Sequence, residues 1–122
     1  MEGLIKDLAN KLSTNISKVL SKHKGSNIVK IDLKDKSSIA DYMIICSGTS
    51  SRHITALSNY LSEDLKKINL KTFNIEGKKG GDWILVDAGD VIVHLFRDEV
   101  REYYSLEKMW GHETNDNLKI SN

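Results

Sequence analysis

Two long segments of the chain carry apolar residues at every third or fourth position, which is the spacing of an amphipathic helix. In residues 3–24 the apolar stripe is formed by Leu4, Leu8, Leu12, Ile16, Val19 and Leu20, with Ile5 and Ala9 beside it. In the segment that follows residues 47–51 and runs to about residue 68, it is formed by Ile54, Leu57, Leu61, Leu65 and Ile68. The pattern predicts two helices, the first ended by Gly25 as its C-cap. The first stripe favours packing on a sheet; the alternative is contact with a partner.

Shorter apolar runs predict the strands. Residues 28–33 alternate between apolar and polar side chains, which is typical of a strand with one buried face. Residues 41–46 are apolar without alternation and predict a strand buried on both faces near the sheet centre. Residues 72–75 predict a short strand. Residues 83–86 and 91–96 flank the turn sequence DAGD and predict a β-hairpin.

A third helix is predicted after the hairpin, where Asp98 and Glu99 suit a helix start. It carries the large side chains Val100, Tyr103, Tyr104, Leu106, Met109 and Trp110. Both tryptophans and two of the four tyrosines therefore lie between residues 83 and 110. Aromatic residues anchor many protein interfaces, and they also complete small cores. Both interpretations remain open for this segment.

The predicted order is α-β-β-α-β-β-β-α, which indicates an α/β (α+β-like) fold with a small mixed sheet of about five strands. A strand–helix–strand crossover from the second to the third strand is expected to be parallel and right-handed. With 122 residues the chain is long enough for one core. We expect a single domain over residues 1–111 and a polar, flexible tail over residues 112–122.

Composition narrows the function classes. The 18 basic and 17 acidic side chains nearly cancel, which argues against a dedicated nucleic-acid site. A single cysteine, Cys46, permits no internal disulfide and fits a reducing compartment. No apolar run approaches a membrane span, and the N-terminus lacks an apolar signal core. We therefore expect a cytoplasmic protein without a membrane partner.

Candidate catalytic and metal-binding groups are sparse. The four histidines lie far apart in sequence, and no Cys–Cys or His–x–His pair suggests a metal site. His94 is expected to be a structural histidine, and Cys46 an inert, packed thiol. The loop of Gly48, Thr49, Ser50, Ser51 and Arg52 stands between a strand and a helix, which is the geometry of an anion site. A hydroxyl cap without a ligand is the alternative, and no cofactor is expected.

Three ordered blocks of sequence resemble a known family. They are residues 36–53 (KSSIADYMIICSGTSSRH), residues 76–94 with Glu76-Gly77 and DWILVDAGDVIVH, and residues 104–110 (YSLEKMW). Together they resemble the Iojap family of ribosomal silencing factors, RsfS, over roughly residues 3–111. The resemblance implies a scaffold similar to that of nucleotidyltransferases. It also implies binding to the large ribosomal subunit through ribosomal protein number fourteen on the intersubunit face.

The resemblance further implies that such a protein blocks joining of the small subunit and represses translation when nutrients are short. Organelle relatives imply a role in large-subunit assembly as the alternative, and a homodimer is implied for the free protein. Catalysis is not implied. The acid pair that holds metal ions in nucleotidyltransferases is absent from the strands predicted at 72–75 and 91–96. An active nucleotidyltransferase is thus the weakest of the three hypotheses.

An interface with a basic ribosomal protein favours an apolar, aromatic centre with an acidic rim. On this basis we predict that the contact is made by Trp83, Asp87, Ala88, Asp90, Tyr104, Leu106, Glu107, Met109 and Trp110.

Overall fold

Helices and strands follow one another in the predicted order. The computed structural model describes residues 2–36, 38–70, 73–77 and 80–104, with side chains from residue 8 to residue 101. Within these residues the elements are α1 (Glu2–Lys22), β1 (Ser26–Asp32), β2 (Tyr42–Gly48), α2 (Ser51–Lys67), β3 (Asn74–Glu76), β4 (Trp83–Asp87), β5 (Val91–Arg97) and α3 (Asp98–Tyr104). The α/β fold with a five-stranded mixed sheet is therefore confirmed. The division into one domain and a tail from residue 112 stays a prediction.

The sheet has the strand order β1-β2-β5-β4-β3. Among the described strands the β2–β5 pair alone is parallel; the β1–β2, β4–β5 and β3–β4 pairs are antiparallel. The predicted crossover placed the third strand as the parallel partner, and the structure corrects this, because β3 lies at the far edge. All seven residues of β2 pair with β5, from Tyr42–Val91 to Gly48–Arg97. A three-residue strand such as β3 cannot satisfy the backbone groups of a buried seven-residue strand.

One face of the sheet is covered by α1 and α2. The two helices are antiparallel, since Asn15 of α1 bonds Asp64 of α2 while the end of α1 at His23 meets His53. Their buried side chains form one core cluster with the strands, which includes Ile16, Leu20, Ile54, Leu57, Leu61, Leu65, Ile44, Val93 and Leu95. The first helix therefore packs on the sheet, as expected. Leu8 departs from the predicted stripe, because it is 57% exposed and Ala9 occupies the buried position instead.

The end of α1 differs from the prediction in one residue. The residue with left-handed backbone is Lys24 (φ 71°), and the N–H of Gly25 bonds the carbonyl of Leu20 at 2.7 Å. This is the Schellman arrangement with Gly25 one position beyond the left-handed residue. Glycine is required there by packing, because a Cβ would lie 2.6 Å from Sγ of Cys46 and 2.9 Å from the Leu20 carbonyl oxygen.

Candidate docking surface

The sheet face turned away from α1 and α2 carries three aromatic rings on β4 and β5. Trp83 stacks on Phe96, its cross-strand neighbour, with 5.2 Å between ring centroids. Trp83 also lies 5.5 Å from the ring of His94, and His94 lies 6.1 Å from Phe96. We call the side of the sheet that bears Trp83, His94 and Phe96 the aromatic face. Phe96 is fully buried, whereas Trp83 is half-buried and supplies the accessible part of the group.

Apolar residues from the neighbouring strands surround these rings. The second core cluster consists of Ile31, Leu33, Ala40, Met43, Ile45 and Phe96, with Val29, Trp83, Ile92 and Val100 packed against it. Val100 is its contribution from α3, and Ile92 remains half-buried. The aromatic face thus combines a buried centre with partly exposed tryptophan and isoleucine side chains. Such a surface suits contact with another macromolecule.

His94 is held in one protonation state by its surroundings. Nε1 of Trp83 donates a hydrogen bond to Nδ1 of His94 at 2.9 Å, so Nδ1 is the accepting nitrogen of a neutral ring. Burial lowers the pKa of His94 to about 4. His94 is 7% exposed, and its partner is another side chain of the same sheet. The predicted structural role of His94 is therefore confirmed, and sequence inspection missed that it orients Trp83.

The hairpin turn joining β4 to β5 is closed by side-chain and backbone bonds. Oδ1 of Asp87 accepts a hydrogen bond from the Gly89 N–H at 2.9 Å, and the Ala88 N–H donates to the Val91 carbonyl at 2.9 Å. Gly89 adopts φ 83°, which favours glycine. The Asp90 carbonyl accepts bonds from the N–H groups of Asp41 and Tyr42, at 2.9 and 3.1 Å. The tip of the hairpin is thereby fixed to the start of β2.

Ala88 must be removed from the predicted contact residues. Its side chain is 1% exposed and belongs to the core cluster under α1 and α2, on the opposite side from Trp83. Ala88 continues the alternation of β4, since Ile84 and Val86 belong to the same cluster. Asp87 and Asp90, in contrast, are both exposed. These two residues are placed where a partner of the hairpin can reach them.

Further acidic groups surround the start of α3. Arg97 binds Oδ1 of Asp82 through Nε at 2.8 Å and Nη2 at 2.7 Å, and Nη1 binds Glu99 at 2.7 Å. Asp98 and Glu99 occupy the first turn of α3, as predicted, with Asp98 its first residue. Among the described residues after position 80, exposed acids therefore outnumber Arg97 and Arg101. Asp87 and Asp90 lie at the turn of the hairpin, whereas Asp82, Asp98 and Glu99 lie at its opposite end, where Arg97 pairs with Asp82 and Glu99.

Arg101 fixes α3 to the sheet. Its Nη1 donates to Oγ of Ser47 at 2.9 Å and to the Asn27 carbonyl. These contacts link α3 to β2 and to the start of β1. Tyr104 is the last residue of α3, and its side chain is outside the described part of the structure. The predicted contact residues Leu106, Glu107, Met109 and Trp110 also lie beyond the described residues.

The loop before α2 is a helix cap whose polar groups bond one another. Ser50 is the N-cap, and its Oγ accepts from the His53 N–H at 3.0 Å. The Thr49 N–H donates to Nδ1 of His53 at 3.0 Å, so the remaining nitrogen, Nε2, donates to the His23 carbonyl at 3.0 Å. Gly48 is buried, and a Cβ at this position would lie 2.6 Å from Cγ2 of Ile54, so the close packing favours glycine. These contacts favour the capping interpretation over an anion site.

Neither the Cys46 thiol nor a metal site among the described residues offers an arrangement of groups suited to catalysis. Burial raises the pKa of the Cys46 thiol to about 12, so the thiol is un-ionised at neutral pH. Among the described side chains no cluster of three His, Cys, Asp or Glu residues is placed to hold a metal ion. A shallow groove of about 510 Å³ beside the cap is lined by Ser51, Arg52, Thr55, Ala56, Asn59, Gly80 and Gly81. None of the described helices is both long and apolar enough to span a membrane.

Comparison with known proteins extends these observations. Residues 6–122 match the family described as ribosomal silencing factor during starvation. Over 84 residues the chain is 54% identical to the ribosomal silencing factor RsfS of Zymomonas mobilis, covering 69% of this chain and 63% of that protein. It is 50% identical to RsfS of Haemophilus influenzae over 88 residues, which are 72% of this chain and 86% of that protein.

A eukaryotic relative and a crystal structure are also similar. The mouse mitochondrial assembly of ribosomal large subunit protein 1 is 37% identical over 95 residues, covering 75% of this chain and 42% of the mouse protein. A crystal structure of a Chromobacterium violaceum protein superimposes with a TM-score of 0.82 at 35% identity. That alignment covers 86% of this chain and 88% of the other.

Proposed function

The chain belongs to the RsfS family of ribosomal silencing factors, and we propose that it binds the large ribosomal subunit and blocks joining of the small subunit. The contact is with ribosomal protein fourteen of the large-subunit series, on the intersubunit face. Occupation of that face represses translation when nutrients are limiting. The matching family description and the names of the bacterial relatives support this function. Ribosome binding would place the protein in the cytoplasm.

The aromatic face beside the acidic hairpin is the observation that carries the proposal. Trp83 offers a half-buried indole, and Asp87 and Asp90 stand exposed at the hairpin tip. A basic ribosomal protein could pack against the indole of Trp83 and pair its positive charges with Asp87 and Asp90. The proposed surface consists of Trp83, Asp87, Asp90, Tyr104, Leu106, Glu107, Met109 and Trp110. The free protein would form a homodimer when no subunit is available.

The proposed mode of action is steric, with no chemical step. The relatives are named for ribosome silencing and for large-subunit assembly. Assembly of the large subunit is the second candidate, favoured by the name of the mouse relative. It uses the same docked surface, and differs in whether the protein accompanies immature or mature large subunits. An active nucleotidyltransferase remains a third and weaker candidate.

The test is sedimentation of the purified protein with separated large subunits, followed by addition of small subunits. We expect the protein to pellet with large subunits and the joined-particle peak to fall in proportion to the protein bound. The double variant Glu107→Lys/Trp110→Ala should lose this effect. The matched control is Ile68→Ala/Glu63→Lys, which changes an exposed large apolar side chain and an exposed acid towards the end of α2.

Two outcomes of the sedimentation test would contradict the proposal in whole or in part. A wild-type protein that stays in the supernatant at micromolar concentration would overturn the proposal. An unchanged affinity of the Glu107→Lys/Trp110→Ala variant would remove that patch from the contact. Fractionation of cells separates the two candidates: protein found on precursor particles alone favours assembly, and protein found on mature large subunits favours silencing.

A further inference from the structure

The near-zero net charge of the chain conceals an uneven distribution in the fold. In α1 from residue 8 onward and in α2 with the turns that follow them, the charged side chains are Lys11, Lys18, Lys22, Lys24, Arg52, Lys66, Lys67, Glu63 and Asp64. This layer is therefore strongly basic, while the hairpin and the start of α3 on the other side are acidic. Folding separates charges that balance in the sequence.

Four of these cations lie on the last part of α1, just after it, or in the first turn of α2. They are Lys18, Lys22, Lys24 and Arg52, and we call this group the basic corner. The junction between these two segments is fixed by the hydrogen bond between Nε2 of His53 and the His23 carbonyl, at 3.0 Å. All four side chains are exposed. The buried positions of α1 are Ala9, Ser13, Ile16 and Leu20, so helical periodicity directs Lys18 and Lys22 away from the sheet.

Helix stabilisation explains only part of this arrangement. Positive charge near a helix C-terminus is favourable, which accounts for Lys22 and Lys24. Arg52 lies in the first turn of α2, where the helix dipole disfavours a cation, and that turn contains no acid. Lys18 and Lys22 are four residues apart on one helix, a spacing at which like charges repel. These two features cost stability, so an external anionic partner is a better explanation than local helix energetics.

The acidic side chains of α2 lie away from Arg52, although the contact of Asp64 with Asn15 places Asp64 about one turn of α1 from Lys18. Glu63 and Asp64 lie eleven and twelve residues after Arg52 on α2, about 17 and 18 Å further along the helix. Asp64 is engaged by the side chain of Asn15. The ion pairs of Lys34 with Asp32 and of Arg97 with Asp82 and Glu99 lie outside α1 and α2.

Two neighbouring features fit a nucleic-acid backbone. Tyr60, 41% exposed, stacks on His23 at 3.5 Å with 7° between the ring planes, so a flat aromatic pair lies within the same junction. Arg52 also lines the shallow groove of about 510 Å³ with Thr55 and Asn59. Cations beside a polar groove and an exposed ring are typical of surfaces that follow RNA phosphates.

We propose that the basic corner contacts RNA phosphates of the large subunit while the aromatic face holds the ribosomal protein. This inference rests on the proposed function for its setting. The two contacts lie on opposite layers of the fold, because the basic corner belongs to the helices and the aromatic face to the far side of the sheet. The charge separation would orient the protein as it approaches the subunit.

The test measures binding of a fluorescent 20-base-pair RNA duplex at several salt concentrations. The variant is Lys18→Glu/Lys22→Glu, and the matched control is Lys34→Glu/Lys36→Glu, two exposed lysines in the loop between β1 and β2. Both changes alter net charge equally, and glutamate preserves helix propensity at residues 18 and 22. Helix content by circular dichroism checks that both variants fold.

We expect the Lys18→Glu/Lys22→Glu variant to bind RNA at least tenfold more weakly at 50 mM salt. The slope of log affinity against log salt should fall by about two, one for each lost phosphate contact. The control should stay within about twofold of the wild type. Equal losses in both variants would show a general charge effect and overturn the proposal, as would unchanged binding of the basic-corner variant. Equal salt-dependent binding to phosphatidylglycerol vesicles would also overturn it, in favour of a membrane surface.

A second arm separates this inference from the proposed function. Large-subunit binding by the Lys18→Glu/Lys22→Glu variant should weaken and become less salt-dependent. The Glu107→Lys/Trp110→Ala variant should retain wild-type affinity for the RNA duplex. If the basic-corner variant binds large subunits as the wild type does, the RNA contact is wrong while the docking proposal stands. If RNA binding follows the expectation but large subunits are not bound at all, the proposed function fails instead.

Discussion

The indole of Trp83 donates its hydrogen bond to Nδ1 of His94 across the β4–β5 pair, at 2.9 Å. The two residues are not direct cross-strand partners: Trp83 is opposite Phe96, and His94 is opposite Leu85. They meet diagonally on one face of the antiparallel pair, within reach of long side chains. The hydrogen bond needs a neutral imidazole, because a protonated Nδ1 cannot accept it. The orientation of the most accessible aromatic side chain on this face thus depends on a buried histidine.

Stability should fall with acidification because of His94. Its pKa is lowered by burial from the ordinary 6.5 to about 4. Above pH 6.5 the ring is neutral in both states and the pKa difference has no effect. Between pH 6.5 and 4 the unfolded chain gains a proton that the folded protein excludes, so the free energy of unfolding falls, by about 3 kcal/mol in total.

Urea unfolding at pH 7.5, 6 and 5 measures this effect. A His94→Gln variant should have a flatter dependence on pH over the same interval, because glutamine does not titrate. Identical slopes for the wild type and the variant would contradict the assignment to His94.

Replacing Trp83 by phenylalanine tests the hydrogen bond separately from the stacking. The Trp83→Phe variant keeps a ring opposite Phe96 but leaves Nδ1 of the buried His94 without its indole donor. We expect a loss of about 1–3 kcal/mol in the free energy of unfolding. Chemical denaturation measures it, with the exposed Tyr60→Phe as the control within about 0.5 kcal/mol. A loss no larger than that of the control would show that the bond contributes nothing.

Arg101 should be more important for α3 than Arg97, although both are half-buried. The Arg101→Met variant loses the bonds to Ser47 and to the Asn27 carbonyl that hold α3 on the sheet. We expect faster amide hydrogen exchange throughout α3 with little change in β2 and β5. The Arg97→Met variant loses ion pairs to the exposed Asp82 and Glu99 and should change stability by less than about 1 kcal/mol. Equal exchange rates in α3 of both variants would refute this ranking.

Gly25 should tolerate no side chain. In the Gly25→Ala variant the new methyl group would lie 2.6 Å from Sγ of the buried Cys46 and 2.9 Å from a backbone oxygen. We expect destabilisation of about 1–3 kcal/mol from this overpacking. Adding Cys46→Ala should restore part of it, which thermal unfolding of the single and double variants would reveal. The control Gly80→Ala, where the nearest atom is 3.7 Å away, should be close to neutral.

Local patterns predicted the elements well, and their failures are informative. Periodicity located α1, α2 and the hairpin because the spacing of apolar residues within each element identifies its buried face. The C-cap was assigned to Gly25 because glycine is the usual left-handed residue there. The structure uses Lys24 for that conformation and keeps Gly25 for close contact with Cys46, a residue 21 positions away. Only the neighbouring strand reveals that need.

The candidate contact residues show the same division. Trp83, Asp87 and Asp90 were recognisable from residue type and turn chemistry, and the structure leaves them half-buried or exposed. The prediction included Ala88 in the apolar part of the contact, but Ala88 follows the alternation of Ile84 and Val86 and its side chain is buried on the helix side of the sheet. His94 and Phe96 were missed as companions of Trp83. Alternation along β5 indicates that His94 and Phe96 lie on one face of the sheet. The pairing register of β4 with β5 is also needed to show that Trp83 lies on that face beside them.

Residue patterns along the chain were enough to predict the order of the elements, the two amphipathic helices, the buried second strand and the family to which the chain belongs. These properties depend on residues close together in the chain or on a match of whole segments. The three-dimensional packing was needed to show that β5 is the parallel partner of β2, that Trp83 contacts His94, and that the helix layer carries an excess of basic side chains. Each of these depends on which distant segments become neighbours, since the first pair of β2 and β5 joins Tyr42 to Val91. Such neighbours are chosen by the packing of the whole core, which no local spacing of residues encodes.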